Sequence, residues 1–155
     1  MGEKTQVTAG GWRQRTAVWS PDGEKRAYIS DESGDQDVWV YEVATAAKAR
    51  LSDHESEKGR PIWSPDSSIL SIMASESLGL TLLLAEPGLG TPHDTVIRNS
   101  PLYAGWSSDS SRLLVHAGAE AYVVNVHEGK TAEPIGMGSR AYRAPAWRAG
   151  SNQVA

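Results

Sequence analysis

One loop of the chain carries oxygen-bearing side chains at alternate positions, as a calcium-binding loop does. In the segment DESGDQD over 31–37, the candidate ligands are Asp31, Ser33, Asp35 and Asp37. Gln36, however, stands where an EF-hand loop needs glycine, and no glutamate follows at the distance of the bidentate ligand. A polar loop between two strands is also the usual composition of a solvated hairpin loop. Calcium is therefore the weaker interpretation of these four residues, and we predict no metal site.

The other patterns that carry catalysis or bind a cofactor are missing from the sequence. Cysteine is absent, which removes thiolate nucleophiles and thiolate metal ligands. No serine lies in a Gly-x-Ser-x-Gly elbow, and Gly88-Leu89-Gly90 is too short for a phosphate-binding loop. The histidines never occur in a metal-binding spacing, so we predict surface positions for them: His54, His93, His116 and His127. We expect no catalytic residue, no cofactor and no enzymatic activity.

Composition and charge narrow the classes of partner. The apolar fraction of 39% is that of a globular chain, and 155 residues suffice for one domain with a core. The net charge is −4 and no basic block occurs, so nucleic acid and membranes are not expected partners. The first residues lack the apolar stretch of a signal peptide. The chain as written is thus expected in the cytoplasm, or in the periplasm or outside the cell if it is a mature or excised segment.

A sequence repeat predicts the secondary-structure elements that would position any site. Tryptophan followed by a polar turn occurs at Trp19, Trp63, Trp106 and Trp147, at spacings of 44, 43 and 41 residues. Such a period is typical of a repeat architecture, in which each unit buries its apolar side on a neighbour. The first copy, Trp-Ser-Pro-Asp-Gly over 19–23, has the residues of a tight turn.

Each unit predicts four short antiparallel strands, which is one blade of a β-propeller. We therefore predict an all-β fold of about three and a half blades that form an incomplete ring. The whole chain, 1–155, is then a single partial propeller. Its blades cover about 14–52, 58–99 and 101–137, a fourth begins at 143–155, and 7–10 supplies the last strand of a preceding blade.

The repeated residues are expected to be structural. Aspartate in a turn accepts hydrogen bonds from the backbone two residues on, which favours this role over catalysis for Asp22, Asp66 and Asp109. The repeated tryptophans should pack between blades, and Trp39 should pack in the core. Aromatic residues outside the repeat register are better candidates for a partner-binding surface. These candidates are Trp12, Tyr103 and Tyr142.

The repeat resembles that of the TolB-like, or WD40-like (PD40), β-propeller family. It is also similar to the propeller domains of prolyl-oligopeptidase-like and tricorn-like peptidases. The stretch 17–43 is most similar to tricorn-type propellers, and the third unit with 143–147 to TolB-like proteins, which leaves the choice open. The residues that carry the resemblance are 19–23, Ala27-Tyr28, Ser30-Asp31, 38–41, 60–66, Pro145 and Trp147.

The resemblance and the blade count together imply two functions. The first is a non-catalytic scaffold that binds a protein or peptide and is completed by self-association or by further blades. Propellers typically have four to eight blades, so two copies would supply about seven or eight. The second is the gating propeller of a serine peptidase whose catalytic domain lies outside this sequence.

Overall fold

The computed structural model describes residues 10–53, 56–77, 79–88, 93–99, 102–127, 132–135, 146–148, 150–151 and 153–154, and its elements are all β-strands. No helix among these residues is long and apolar enough to span a membrane. The strands are β1 Gln14–Trp19, β2 Lys25–Ser30, β3 Asp37–Glu42, β4 Lys48–Arg50, β5 Glu57–Lys58, β6 Ile62–Trp63, β7 Leu70–Glu76, β8 Gly79–Ala85, β9 His93–Asn99, β10 Leu102–Trp106, β11 Arg112–Ala117, β12 Glu120–Asn125 and β13 Ala132–Ile135.

The first unit is a four-stranded antiparallel meander in the order β1-β2-β3-β4. Its strands are rich in β-branched and aromatic residues, which favour extended backbone. The turn after Trp19 reverses the chain so that Trp19 pairs with Arg26. Gly23 has a φ of +74° in that turn, a conformation that glycine adopts without steric cost. A bulge interrupts the pairing between Arg15 and Val18.

The second and third units repeat this meander. The third sheet has the order β10-β11-β12-β13. In the second sheet the first strand is divided, because β5 and β6 both pair with β7. Pro61 lies between them and has no amide hydrogen for a ladder bond, which fits the interruption.

A fourth unit begins in the same way as the others. Trp147 pairs with Val154 in an isolated antiparallel bridge. The Arg148 amide donates to the Gln153 carbonyl at 2.8 Å, as the Ser20 amide does to Lys25 at 2.9 Å. Residues 7–9, predicted to belong to a preceding strand, lie outside the described residues.

The apolar core lies between consecutive sheets and consists of two clusters. The first joins Ala27, Ile29, Val38 and Val40 of the first sheet to residues of the second, which are Leu70, Ile72, Ala74, Leu83 and Ala85. The second joins Ile69, Leu82, Leu84 and Ile97 to the third sheet, at Leu113, Val115, Ala117 and Val124. Face-to-face packing of four-stranded sheets is the arrangement of propeller blades. The predicted all-β, incomplete propeller is therefore confirmed.

Candidate functional site

The turns after Trp19, Trp63 and Trp106 are closed by the same aspartate–serine contact. The hydroxyl of Ser64 donates to the Asp66 carboxylate at 2.6 Å, and that of Ser107 to Asp109 at 2.7 Å. Asp22 accepts from Ser20 in the same way. Each carboxylate also accepts the amide two residues on, at 2.9 Å from Glu24, 3.1 Å from Ser68 and 3.1 Å from Ser111. The geometry thus gives the three aspartates a role in the turn.

Two of these carboxyl groups titrate below the usual range. The hydrogen bond from the Ser20 hydroxyl, followed by that from the Glu24 amide, lowers the pKa of Asp22 from its ordinary value of 3.8. Partial burial acts to raise the pKa of Asp66, but the hydrogen bonds from Ser64 and Ser68 outweigh it, so the pKa is lowered. Both groups are therefore ionised acceptors at neutral pH.

The repeated tryptophans connect each unit to the unit before it. The indole Nε1 of Trp63 donates to the Val18 carbonyl at 3.4 Å, and that of Trp106 to the Ile62 carbonyl at 3.3 Å. Trp147 donates to the Gly105 carbonyl at 2.9 Å. The acceptor is always the residue that precedes the tryptophan of the earlier unit. This bond ties unit to unit, in addition to the apolar packing.

A serine in the second and third turns makes another contact between units, which was not predicted from the sequence. The amide of Asp22 donates to the Ser67 hydroxyl at 3.1 Å, and that of Asp66 to the Ser110 hydroxyl at 2.9 Å. Both serines stand four residues after a repeated tryptophan, and Gly23 holds this position in the first unit. Their recurrence in the repeat was the signal that could have identified them.

Trp19 differs from its repeats. It is 56% exposed, whereas Trp63 is 6% exposed. The unit that would cover Trp19 is not among the described residues, and the Arg26 guanidinium lies 5.6 Å from the ring centroid. The expected packing between blades therefore does not extend to Trp19, whose side chain is accessible to another molecule.

Three of the four candidate calcium ligands contact other protein groups through their side chains, and Asp35 accepts from Ser33 through its main-chain carbonyl at 3.2 Å. Asp31 accepts the Arg13 amide at 2.7 Å, and Ser33 donates to Asp37 at 2.7 Å. Asp37 is fully buried, where it pairs with Arg50 at 2.7 Å and with the equally buried Lys58 at 3.4 Å. Within the described ranges, no group of three or more His, Asp or Glu residues is placed to hold a metal ion. Asp37 thus joins the first unit to the start of the second.

The aromatic residues proposed as a partner surface lie in different places. Trp12 and Tyr103 are 49% and 57% exposed, and Tyr142 lies outside the described residues. Tyr103 stacks on His116 with a centroid distance of 6.3 Å, beside a cavity of about 410 Å³ that Trp106 and Trp147 also line. Both ring nitrogens of His116 are buried without a hydrogen-bond partner, although the residue as a whole is half-buried. Tyr103 stacks over one side of its imidazole.

Two curated proteins share segments with this chain. TolB of Alcanivorax borkumensis, a Tol-Pal system protein, is 36% identical over 59 residues, which are 37% of this chain and 14% of TolB. The uncharacterized peptidase YuxL of Bacillus subtilis is 36% identical over 79 residues, which are 50% of this chain and 12% of YuxL. The chain thus matches only a small part of each relative. No protein-family model matches it.

Solved structures show the same fold. TolB from Acinetobacter baumannii superposes with a TM-score of 0.63 at 16% identity, over 85% of this chain and 34% of TolB. The β-propeller domain of the Trilobed protease from Pyrococcus furiosus gives a TM-score of 0.65 at 14% identity, over 88% of this chain and 45% of that domain. The predicted resemblance to TolB-like and peptidase propellers is therefore confirmed, at the level of the fold.

Proposed function

We propose that this chain is a non-catalytic propeller segment that acts as a protein- or peptide-binding or structural scaffold. Self-association or further blades complete it. The observation that supports the proposal is the exposed Trp19. Trp63, Trp106 and Trp147 use their indole N–H groups to join a neighbouring unit, whereas Trp19 holds the same position in the repeat and is 56% exposed.

An indole at this position is suited to binding a polypeptide. Tryptophan is enriched at binding hot spots because it combines a large apolar area with one hydrogen-bond donor. In the three later units the acceptor is a main-chain carbonyl, which any polypeptide can supply. The position therefore fits a second copy, a further blade or a partner protein.

Light scattering coupled to size-exclusion chromatography tests the self-associating form of the proposal. We expect the wild-type chain to associate at micromolar concentration and the Trp19→Ser variant to associate less. Ser108→Ala is the control, because Ser108 is exposed in the turn after Trp106 and is not a candidate for the partner surface. A stable wild-type monomer, or equal loss in both variants, would contradict completion by a second copy.

The alternative function is that of a gating propeller in a serine peptidase. YuxL is named a peptidase, and the Pyrococcus structure is the propeller domain of a protease. In this role the propeller restricts access of long substrates and performs no chemistry. The coding sequence beyond residue 155 tests it: a Gly-x-Ser-x-Gly elbow in the same reading frame supports the peptidase, and further Trp-Ser-Pro-Asp-Gly units followed by a stop contradict it.

A further inference from the structure

The first sheet has one side that faces away from the second sheet. Paired residues of antiparallel strands point to the same side, and the pairs here are Trp19–Arg26, Arg26–Tyr41, Tyr28–Trp39 and Tyr41–Lys48. Arg50, opposite Trp39, and Asp37, opposite Ser30, follow at one end of this side and form an ion pair with each other. The alternate residues of these strands form the core with the second sheet, so the paired set faces outward. We call this set the aromatic face: Trp19, Arg26, Tyr28, Trp39, Tyr41 and Lys48.

The aromatic face differs from the equivalent sides of the later units. Counted from the repeated tryptophan, the position of Arg26 is held by Leu70 in the second unit and by Leu113 in the third. Likewise, the position of Tyr28 is held by Ile72 and Val115. These four aliphatic residues are fully buried against the preceding sheet. The first unit therefore replaces an aliphatic contact side with cations and aromatic rings.

The polar groups of the aromatic face are mainly hydrogen-bond donors. The Tyr28 hydroxyl and the Trp39 Nε1 are buried with no hydrogen-bond partner, and Tyr28 is only 3% exposed. Burial, followed by the nearby Glu32 carboxylate, raises the pKa of Tyr28 above its ordinary value of 10.0, so this hydroxyl stays protonated. The Trp19 indole N–H is a further donor on this face.

Two cations lie over the rings of this face. The Arg26 guanidinium lies 5.6 Å from the Trp19 centroid, and the Lys48 ammonium lies 5.8 Å from the Trp39 centroid. Lys48 also pairs with Glu32 at the margin of the face. A partner that satisfies indole N–H groups and cations together must be rich in carbonyl and carboxylate oxygens.

We propose that the aromatic face docks an extended acidic segment of a partner protein. Main-chain carbonyls of the segment accept the indole N–H groups of Trp19 and Trp39, while its carboxylates pair with Arg26 and Lys48. This inference rests on the proposed function, since it takes the chain to be a binding scaffold. Beyond that function, it specifies where the partner binds and that the partner segment is acidic.

Titration of the full chain with a model peptide tests the inference. The probe is an acetylated glutamate–alanine repeat peptide, and the matching glutamine–alanine peptide is the uncharged control. With ¹⁵N-labelled protein, we expect the Nε1–H resonances of Trp19 and Trp39 to move while that of Trp147 stays. Added salt should weaken binding, because exposed charge pairs are screened. No movement, or equal binding of the glutamine peptide, would overturn the inference.

Charge-reversal variants test whether the peptide binds at the aromatic face. Arg26→Glu and Lys48→Glu should each weaken peptide binding about tenfold or more, a change of about 1.4 kcal/mol. Arg112→Glu is the matched control, because Arg112 also lies over a tryptophan, Trp147, on the third unit. Equal weakening in all three variants would contradict the proposed face. If a variant fails to fold, the salt dependence and the glutamine peptide still decide with wild-type protein.

Two further results would assign the face to another occupant and overturn the inference. One is movement of the Trp19 Nε1–H resonance on dilution without peptide, which indicates a second copy. The other is peptide binding that occurs only after residues 1–9 are removed, which indicates the chain's own amino-terminal residues. Light scattering on the same samples measures self-association separately, so a failure of the acidic-segment inference is distinguishable from a failure of completion by a second copy.

Discussion

At the scale of single residues, the buried carboxylate of Asp37 makes the most consequential polar contact between units. Asp37 and Lys58 are both fully buried, and Arg50 and Ser52 also contact the carboxylate. Removal of one partner leaves an uncompensated charge in a low-dielectric site. We expect Asp37→Asn to lower the free energy of unfolding by about 3 kcal/mol, measured by urea denaturation.

The partly exposed ion pair between Lys48 and Glu32 supplies the control. Lys48→Met should change the free energy of unfolding by about 1 kcal/mol or less, because solvent screens the pair. The double variant Asp37→Asn with Lys58→Met should recover part of the loss, since it removes both charges. Equal effects of Asp37→Asn and Lys48→Met would show that burial of Asp37 does not control stability.

The turn aspartates make stability depend on acid pH. The folded-state pKa of Asp66 is below the ordinary value of 3.8, so the folded state favours the ionised form. Its contribution is fully present above the unfolded pKa and is lost as the pH falls through the folded pKa. We expect Asp66→Asn to lower the free energy of unfolding by about 1 kcal/mol at pH 7. This is less than a buried hydrogen bond to a charged group contributes, because solvent screens the carboxylate.

Urea denaturation between pH 7 and pH 2 measures this effect. The difference between wild type and Asp66→Asn should shrink as the pH falls from about 4 through the lowered folded-state pKa of Asp66, because the carboxyl group then becomes protonated in the folded state as well. Asp53→Asn serves as the control, since Asp53 is exposed in the connection after β4. A difference that is constant across this range would refute the role of the carboxylate charge.

At the scale of elements, Ser67 and Ser110 in the second and third turns combine a contact between units with an unfavourable backbone conformation. Ser110 has a φ of +62° and accepts the Asp66 amide, whereas Gly23 occupies this position in the first unit. Ser110→Ala loses the hydrogen bond and keeps the conformation, so it should destabilise by about 1–2 kcal/mol. Ser110→Gly loses the same bond but relieves about 1 kcal/mol of strain, and should be nearly neutral.

Thermal and urea unfolding of the two variants separate these effects. Ser108 is exposed in the same turn, and Ser108→Ala should leave stability within about 0.5 kcal/mol of wild type. Should Ser110→Gly prove as damaging as Ser110→Ala, the hydrogen bond alone would account for the loss. The positive φ of Ser110 would then contribute no measurable destabilisation.

At the scale of the whole molecule, the sequence repeat was sufficient to predict the sheets, because residues at equivalent positions make equivalent contacts in successive units. The indole N–H groups of Trp63, Trp106 and Trp147 donate to equivalent main-chain carbonyls of the preceding unit. The spacing of the tryptophans therefore reflects the spacing of the units. The Asp37–Lys58 pair could not be predicted in this way. Thr81 holds the position of Asp37 in the second sheet, so no pattern identifies the pair.

The aromatic face could not be predicted from the sequence for a related reason. A sequence shows that Tyr28 and Trp39 alternate with aliphatic residues, but both sides of a propeller blade are buried by neighbours. Only the registers and the composition of the core show which side faces outward. The stacking of Tyr103 on His116 was not predicted either, because it depends on the register that pairs the two residues across adjacent strands.

The two separate core clusters predict nearly independent energetics for the two sheet-to-sheet junctions. Ile72 lies in the first cluster and Ile97 in the second, although both belong to the second sheet. Each Ile→Val substitution should cost about 0.5–1.5 kcal/mol. In the double variant the costs should add within about 0.5 kcal/mol, because the side chains share no cluster.

A pair within one cluster supplies the comparison for this additivity. Ile29 and Ile72 lie in the same cluster on opposite sides of the first junction, so Ile29→Val and Ile72→Val can couple through a shared space. Urea denaturation of the single and double variants gives both coupling energies. If Ile72 and Ile97 couple as strongly as Ile29 and Ile72, the second sheet transmits packing changes from one junction to the next. The junctions would then behave as one cooperative core rather than as neighbouring contacts of a repeat.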